Sequence, residues 1–329
     1  MDSNKPLIDI QGLTIHYETD DGIVKALNDV SLSMIEGETL GLVGETGAGK
    51  TTLARGILGL IPSPPGVVKA GGILFQDCDL LKIPESQMRS IRGSAISMIF
   101  QDPMTSLNPV MTVGEQIMEV IEAHAKGLSK KESFAQACSM LEMVGISSDR
   151  AHEFPHQFSG GMKQRVIIAI ALACNPVLLI ADEPTTALDV TIQAQVLDMI
   201  NALKVKLNTA MLLITHDLGV VAQNCDRVAI IYAGEIIELG NLNHIFKASR
   251  HPYTQGLLGS IPSLTKDVKR LSPIKGLMPD PTNLPAGCKF APRCKFVTEA
   301  CTLAIPPLYQ VSEGHSARCI LCKDEVSHG

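Results

Sequence analysis

Nine residues near the N-terminus, Gly44-Glu45-Thr46-Gly47-Ala48-Gly49-Lys50-Thr51-Thr52, lie between a short apolar run, Thr39–Val43, and a helix-like run, Leu53–Leu60. They match G-x-x-x-x-G-K-[ST], a loop whose backbone N–H groups point at phosphate oxygens. Lys50 then reaches the terminal phosphates and the Thr51 hydroxyl ligates magnesium. Glycine is required where a Cβ would block close approach. A chance match somewhere in such a chain has a probability of about one in a hundred, and the flanking strand and helix lower it. An ordinary glycine-rich turn is the competing reading. Buried strand, loop and helix in this order predict an α/β domain.

Composition bounds the rest. At 329 residues, with 45% hydrophobic and 19% charged residues, the chain can fill a core and is too apolar to be disordered over most of its length. Its formal charge of -6 disfavours a polyanionic partner. Apolar runs such as Val166–Cys174 and Val177–Ala181 are too short to span a bilayer, and Met1–Leu7 lacks the order of a secretory signal, so the cytoplasm is the expected compartment. Nine cysteines in that compartment are expected to be thiols or metal ligands, and five of them fall at or after Cys288.

Alternation predicts strands over Leu7–Tyr17 and Ala26–Met34, and apolar runs predict further strands at Ala95–Phe100, Val177–Ala181, Ala210–Thr215 and Arg227–Tyr232. Helical spacing marks Thr112–Gly127, Lys130–Gly145 and Val190–Lys206. The middle of the chain is therefore expected to be a helical subdomain, about residues 103–172. From about His251 prolines recur and periodicity fades, which predicts a separate appendage or extended tail over 251–329. There is no internal repeat.

The strand Leu178–Ala181 ends in Asp182-Glu183. The first carboxylate suits a magnesium ligand and the second a general base for an attacking water, while a capping or solvated acidic turn is the plainer alternative when the pair is taken alone. Ser159-Gly160-Gly161 opens another helix, whose free N–H donors and positive end favour an anion. A serine-capped helix without a ligand is the bland reading. Ser-Gly-Gly before a helix, upstream of the Asp182-Glu183 strand, resembles the signature of ATP-binding-cassette ATPases. In the family's order, Gln101 then resembles the Q-loop glutamine, which faces magnesium, Ala187-Leu188-Asp189 the D-loop and His216 the switch histidine that contacts the γ-phosphate. Tyr17 resembles the aromatic that stacks on adenine, though a tyrosine in a first strand is more often core or rim.

A closer resemblance is to the ATP-binding subunits of oligopeptide and dipeptide importers. It rests on Phe100–Val110, Pro155–Val166 and Ala181–Thr191. Phe158 and Met162 depart from the broad signature, where many cassettes have Leu and Gln, and look usual for this branch. The resemblance implies a cassette over residues 1–250 with a RecA-like core, an antiparallel β subdomain and an α-helical subdomain, followed by a cysteine-rich extension. It implies ATP and magnesium as cofactors, two permease subunits and a second ATPase chain as partners, an extracytoplasmic peptide-binding protein acting indirectly, no nucleic acid, and a peripheral place on the cytoplasmic membrane face. Import of nickel or another small solute, and a soluble cassette acting on nucleic acid, are the alternatives. Four soft thiolates drawn from Cys288, Cys294, Cys301, Cys319 and Cys322 suit iron–sulfur or zinc in the expected compartment, with scattered free thiols as the plain alternative. Cys319 and Cys322 form a CxxC pair that zinc favours. The resemblance implies instead a [4Fe–4S] cluster on Cys288, Cys294, Cys301 and Cys319, with Cys322 spare. Lys289, Arg293 and Lys295, interleaved with Phe290 and Phe296, read either as counter-charge for such a centre or as a nucleic-acid patch.

Overall fold

The computed structural model describes residues 5–101, 106–125, 127–185, 189–260 and 274–323. The strands among them are β1 (Ile8–Thr19), β2 (Gly22–Met34), β3 (Thr39–Val43), β4 (Gly66–Phe75), β5 (Cys78–Asp79), β6 (Ile96–Ile99), β7 (Leu178–Asp182), β8 (Ala210–Thr215), β9 (Arg227–Tyr232), β10 (Glu235–Asn241), β11 (Tyr309–Ser312) and β12 (His315–Ala317). The helices are α1 (Lys50–Ile57), α2 (Glu85–Ile91), α3 (Val113–His124), α4 (Lys130–Met143), α5 (Gly160–Leu172), α6 (Val190–Leu207), α7 (Leu218–Asn224), α8 (Leu242–Ala248), α9 (Pro252–Gly259) and α10 (Glu299–Leu303). They divide between two compact units, one formed by Ile35–Thr39 and Lys82–Leu213 and the other by Pro6–Met34, Leu40–Leu81 and Ile214–Gly329.

The first unit carries β6 beside β7 in parallel, Ile96 opposite Leu178 through Ile99 opposite Ala181, with β8 as the next strand. Both β7 and β8 are buried along their whole length, which is why they read as continuous apolar runs rather than alternation. Helices α3, α4 and α5 form the expected helical region. Capping boxes start the first two: Thr112 accepts from the Glu115 N–H at 3.3 Å while Glu115 accepts from the Thr112 N–H at 2.8 Å, and Ser129 and Glu132 repeat the arrangement.

The second unit contains an antiparallel sheet in the order β2-β1-β4-β5 and a second run of strands in the order β11-β12-β10-β9-β3. There β3 and β9 run parallel, Leu40 opposite Arg227 through Val43 opposite Ile230. Helix α1 begins at Lys50, three residues earlier than the apolar spacing suggests, because the Gly49 carbonyl already accepts the Leu53 N–H at 3.0 Å. The loop lysine is thus a first-turn residue. β4 carries no readable alternation, having Gly71-Gly72 and a mostly exposed first half.

Residues after 251, where the sequence shows no periodicity, join the sheet: Glu238 and Leu239 of β10 face Ala317 and Ser316 of β12. Strands of three and four residues are too short to show a period. Glu238, fully buried in β10, holds the junction by accepting from the Arg250 N–H at 2.7 Å and the His251 N–H at 3.0 Å, with His315 Nε2 at 2.9 Å. Among the described residues no helix is long and apolar enough to cross a membrane.

Candidate functional site

In the second unit the phosphate-type loop leaves β3 at Gly44, where a Cβ would stand 2.3 Å from the Ile231 carbonyl oxygen of β9. At Gly49, φ is 106° and a Cβ would lie 2.6 Å from the Ala26 carbonyl. Packing and backbone conformation therefore demand these two glycines before any ligand is considered. Lys50 is buried, and its ammonium donates to the carbonyls of Gly44 at 2.7 Å and Glu45 at 3.1 Å. Thr46 and Gly47 are exposed, Ala48 is buried, and Thr51 and Thr52 are half-buried on the first turn of α1. Tyr17 is half-buried on β1, paired with Val24 and Gly66. His216 is exposed just after β8, followed by Asp217, which caps α7 by accepting from the Gly219 N–H at 2.7 Å.

In the first unit Asp182 is buried at the end of β7. Glu183 follows in the left-handed region at φ 49°, a conformation that non-glycine residues adopt at some cost, and accepts from the Gln101 amide at 3.0 Å. Two residues 82 apart in sequence are thereby joined. Ser159 caps α5, accepting from the Met162 N–H at 3.4 Å. A Cβ on Gly160 would meet nothing, while one on Gly161 would touch Ile192 at 3.0 Å. The buried Gln164 of α5 donates to the Pro184 carbonyl, tying the helix to the residue after Glu183. Arg150 lies over the Phe158 ring at 4.4 Å and contacts the Met162 sulfur at 3.4 Å. Phe158 and Met162 thus form an apolar seat for a guanidinium. Gln164 carries no local sequence signal, since it acts through a tertiary contact, whereas Arg150 is also held locally by Glu153 at 2.6 Å. Asp189 caps α6, accepting from the Ile192 N–H at 3.0 Å. Ala187, Leu188 and residues 102–105 of the Gln101 segment lie outside the described residues.

The cysteine segment belongs to the second unit. Cys288, Cys294, Cys301 and Cys319 line one cavity together with His251 and Phe290. Burial pushes the Cys288 thiol up to about 11, with Cys301, Cys319 and Cys294 adding to the rise. A hydrogen bond with Cys322, and then burial, push the Cys319 thiol up. Cys322 packs with Ala317 and Cys319 against Tyr309 and Val311 and does not line the cavity. Among the described residues no three His, Cys, Asp or Glu side chains close on a single ion. The zinc expectation, with Cys322 beside Cys319 as ligands, therefore finds no formed site, and the cluster expectation has four thiols around one cavity without a metal site to support it. Of the basic and aromatic residues in this segment, Lys289 is buried beside Glu235 at 3.8 Å, Phe290 is buried and Arg293 pairs with Glu45 at 3.0 Å, while Lys295 and Phe296 are exposed, so the five do not form one continuous basic and aromatic surface.

Sequence comparison agrees with this geometry. The family profile described as ABC transporter matches residues 27–186, and that described as oligopeptide/dipeptide transporter, C-terminal region, matches 237–301. The oligopeptide transport ATP-binding protein OppD of Bacillus subtilis is 50% identical over 94% of this chain and 87% of its own length. OppD of Haemophilus influenzae is 47% identical over 98% and 99%, and the dipeptide transport ATP-binding protein DppD of B. subtilis 47% over 98% and 96%. Among solved structures, the post-hydrolysis dimer of the ATP-binding cassette MJ0796 bound to ADP and Pi is 28% identical, with a TM-score of 0.64 over 71% of this chain and 98% of that one. With glycine loop, strand-end carboxylates and capped signature helix in place, and near-full-length identity of this order, the chain belongs to the ATP-binding-cassette ATPases, in the oligopeptide/dipeptide transporter branch.

Proposed function

We propose that this ATPase drives the import of di- or oligopeptides, working beneath two membrane permeases as one of two paired ATPase chains, with an extracytoplasmic peptide-binding protein delivering the cargo. Support comes from the C-terminal match to the oligopeptide/dipeptide transporter profile and from relatives named for peptide transport. The observation that carries the chemistry is the hydrogen bond between Gln101 and Glu183, directly after the buried Asp182.

Lys50 exchanges its two loop carbonyls for the terminal phosphates, a charge-assisted contact. Glu183 takes the proton of the attacking water, and the Gln101 amide, bonded to one of its oxygens, orients it. Magnesium, when bound with ATP, offsets phosphate charge; Thr51, Gln101 and Asp182 each present an oxygen of the kind it takes. His216 contacts the γ-phosphate and Tyr17 the adenine. Ser159, Gly160 and Gly161 face the ATP of the partner chain, and the open space beside Gly160 favours this, because no described side chain or neighbouring element packs where a Cβ there would stand. Asp189 stands at the start of α6 as the last residue of the D-loop. Glu183→Gln is expected to keep ATP binding and to lower turnover roughly a hundredfold or more. Wild-type hydrolysis by that variant would remove Glu183 as the base. Uptake of labelled di- and oligopeptides, with nickel as the competing cargo, by proteoliposomes holding the complete transporter tests the cargo.

For the tail we propose a structural [4Fe–4S] cluster held by Cys288, Cys294, Cys301 and Cys319. The support is that the four cysteines the family resemblance names line one cavity, which Cys322 does not. Protein purified without oxygen is expected to be brown with about four irons per chain, and Cys301→Ser to be colourless. Wild-type protein that is colourless and holds one zinc would rule the cluster out.

A further inference from the structure

The phosphate loop and the cysteine segment meet at one side chain. Arg293, between Cys288 and Cys294, places Nη1 3.0 Å from each carboxylate oxygen of Glu45, and the same nitrogen donates to the Tyr232 hydroxyl at 3.2 Å. Its Nε donates to the Lys275 carbonyl at 3.1 Å. Only 6% of the Arg293 side chain is exposed, against 31% of Glu45. Glu45 is held at each of its polar groups. Its N–H donates to the Tyr253 hydroxyl at 3.1 Å, its carbonyl accepts from Lys50, and its carboxylate accepts from Arg293. The rings behind this clamp pack on one another, Tyr232 on Tyr253 at 4.6 Å and Phe290 on both at 5.4 Å.

A carboxylate in the first variable position of a loop that receives polyphosphate repels its own ligand. Here a permanently charged guanidinium, largely out of water, offsets it. We propose that Arg293 is a positioning residue for the phosphate loop, which neutralises and anchors Glu45 and so makes affinity for the polyphosphate of ATP depend on the cysteine segment. The proposal rests on the loop being the seat of the ATP phosphates.

The test is equilibrium binding of a fluorescent ATP analogue, and of adenosine as competitor, to the purified full chain. Arg293→Met is expected to weaken ATP about tenfold while leaving adenosine within about twofold, because an uncompensated Glu45 opposes only the phosphates. Adding Glu45→Gln to that variant is expected to restore ATP affinity to within about threefold of wild type. Glu45→Gln alone, which leaves the tail untouched, is expected to tighten ATP binding by exposing the phosphates to an unbalanced guanidinium. Unchanged affinity in Arg293→Met, no rescue in the double variant, or weaker binding in Glu45→Gln would each overturn the proposal. Lys50→Ala serves as the control for the loop itself: wild-type ATP affinity in that variant would instead overturn the phosphate-site assignment beneath it. Thermal unfolding and thiol titration of each variant separate a lost anchor from a lost fold.

Discussion

Gly44 and His251 show how much a single position can decide. An alanine at 44 would press its methyl group against the Ile231 carbonyl, backbone that cannot swing aside, so Gly44→Ala is expected to cost about 1–3 kcal/mol in urea unfolding as well as nucleotide binding. His251 is buried, its Nδ1 accepts from the Tyr253 N–H at 3.1 Å, and burial lowers its pKa to about 4 despite the nearby Glu238 carboxylate. The neutral ring is the form that fits. Its contribution to stability is complete above about pH 6.5 and is lost as pH falls toward 4, on the order of 3 kcal/mol over that window. His251→Asn keeps a capping oxygen and has no proton to gain, so its stability is expected to fall less than wild type between pH 7 and pH 4.5 in parallel denaturant titrations. The site candidates legible in the sequence, Lys50, Asp182, Glu183 and Ser159, sit in motifs only a few residues long. The Glu45–Arg293 pair spans 248 positions and depends on how the tail folds back, so no local pattern announces it.

Elements follow the same division. β3, β8 and β9 begin and end where their apolar runs do, because strands buried on both faces need no alternation to be seen. β4, β10, β11 and β12 escape such reading: one is interrupted by paired glycines, and the others owe their strand character to neighbours across the sheet rather than to their own sequence. Helix α3 is the opposite case, with both halves of its capping box encoded within four residues. Thr112→Ala leaves the Glu115 N–H without its side-chain acceptor and is expected to cost about 1 kcal/mol in chemical denaturation, with ATP affinity unchanged.

At the scale of the molecule, the glycine loop and the signature helix belong to different compact units of the chain. If each ATP is closed by the loop of one chain and the signature of another, two individually inactive variants should complement. Lys50→Ala and Ser159→Arg are each expected to lack ATP hydrolysis, and mixing them to recover a measurable fraction in a coupled phosphate assay; a mixture as inactive as its components would argue against the paired arrangement. β12, only three residues long, also lies along the outer side of β10, with β11 as the short last strand. A chain ended near residue 305 would keep every nucleotide motif yet leave the β10 rim with unsatisfied N–H and C=O groups, an open template for another copy. Such a shortened cassette is expected to sediment as polydisperse aggregates rather than as discrete particles, which makes the tail a guard against self-association.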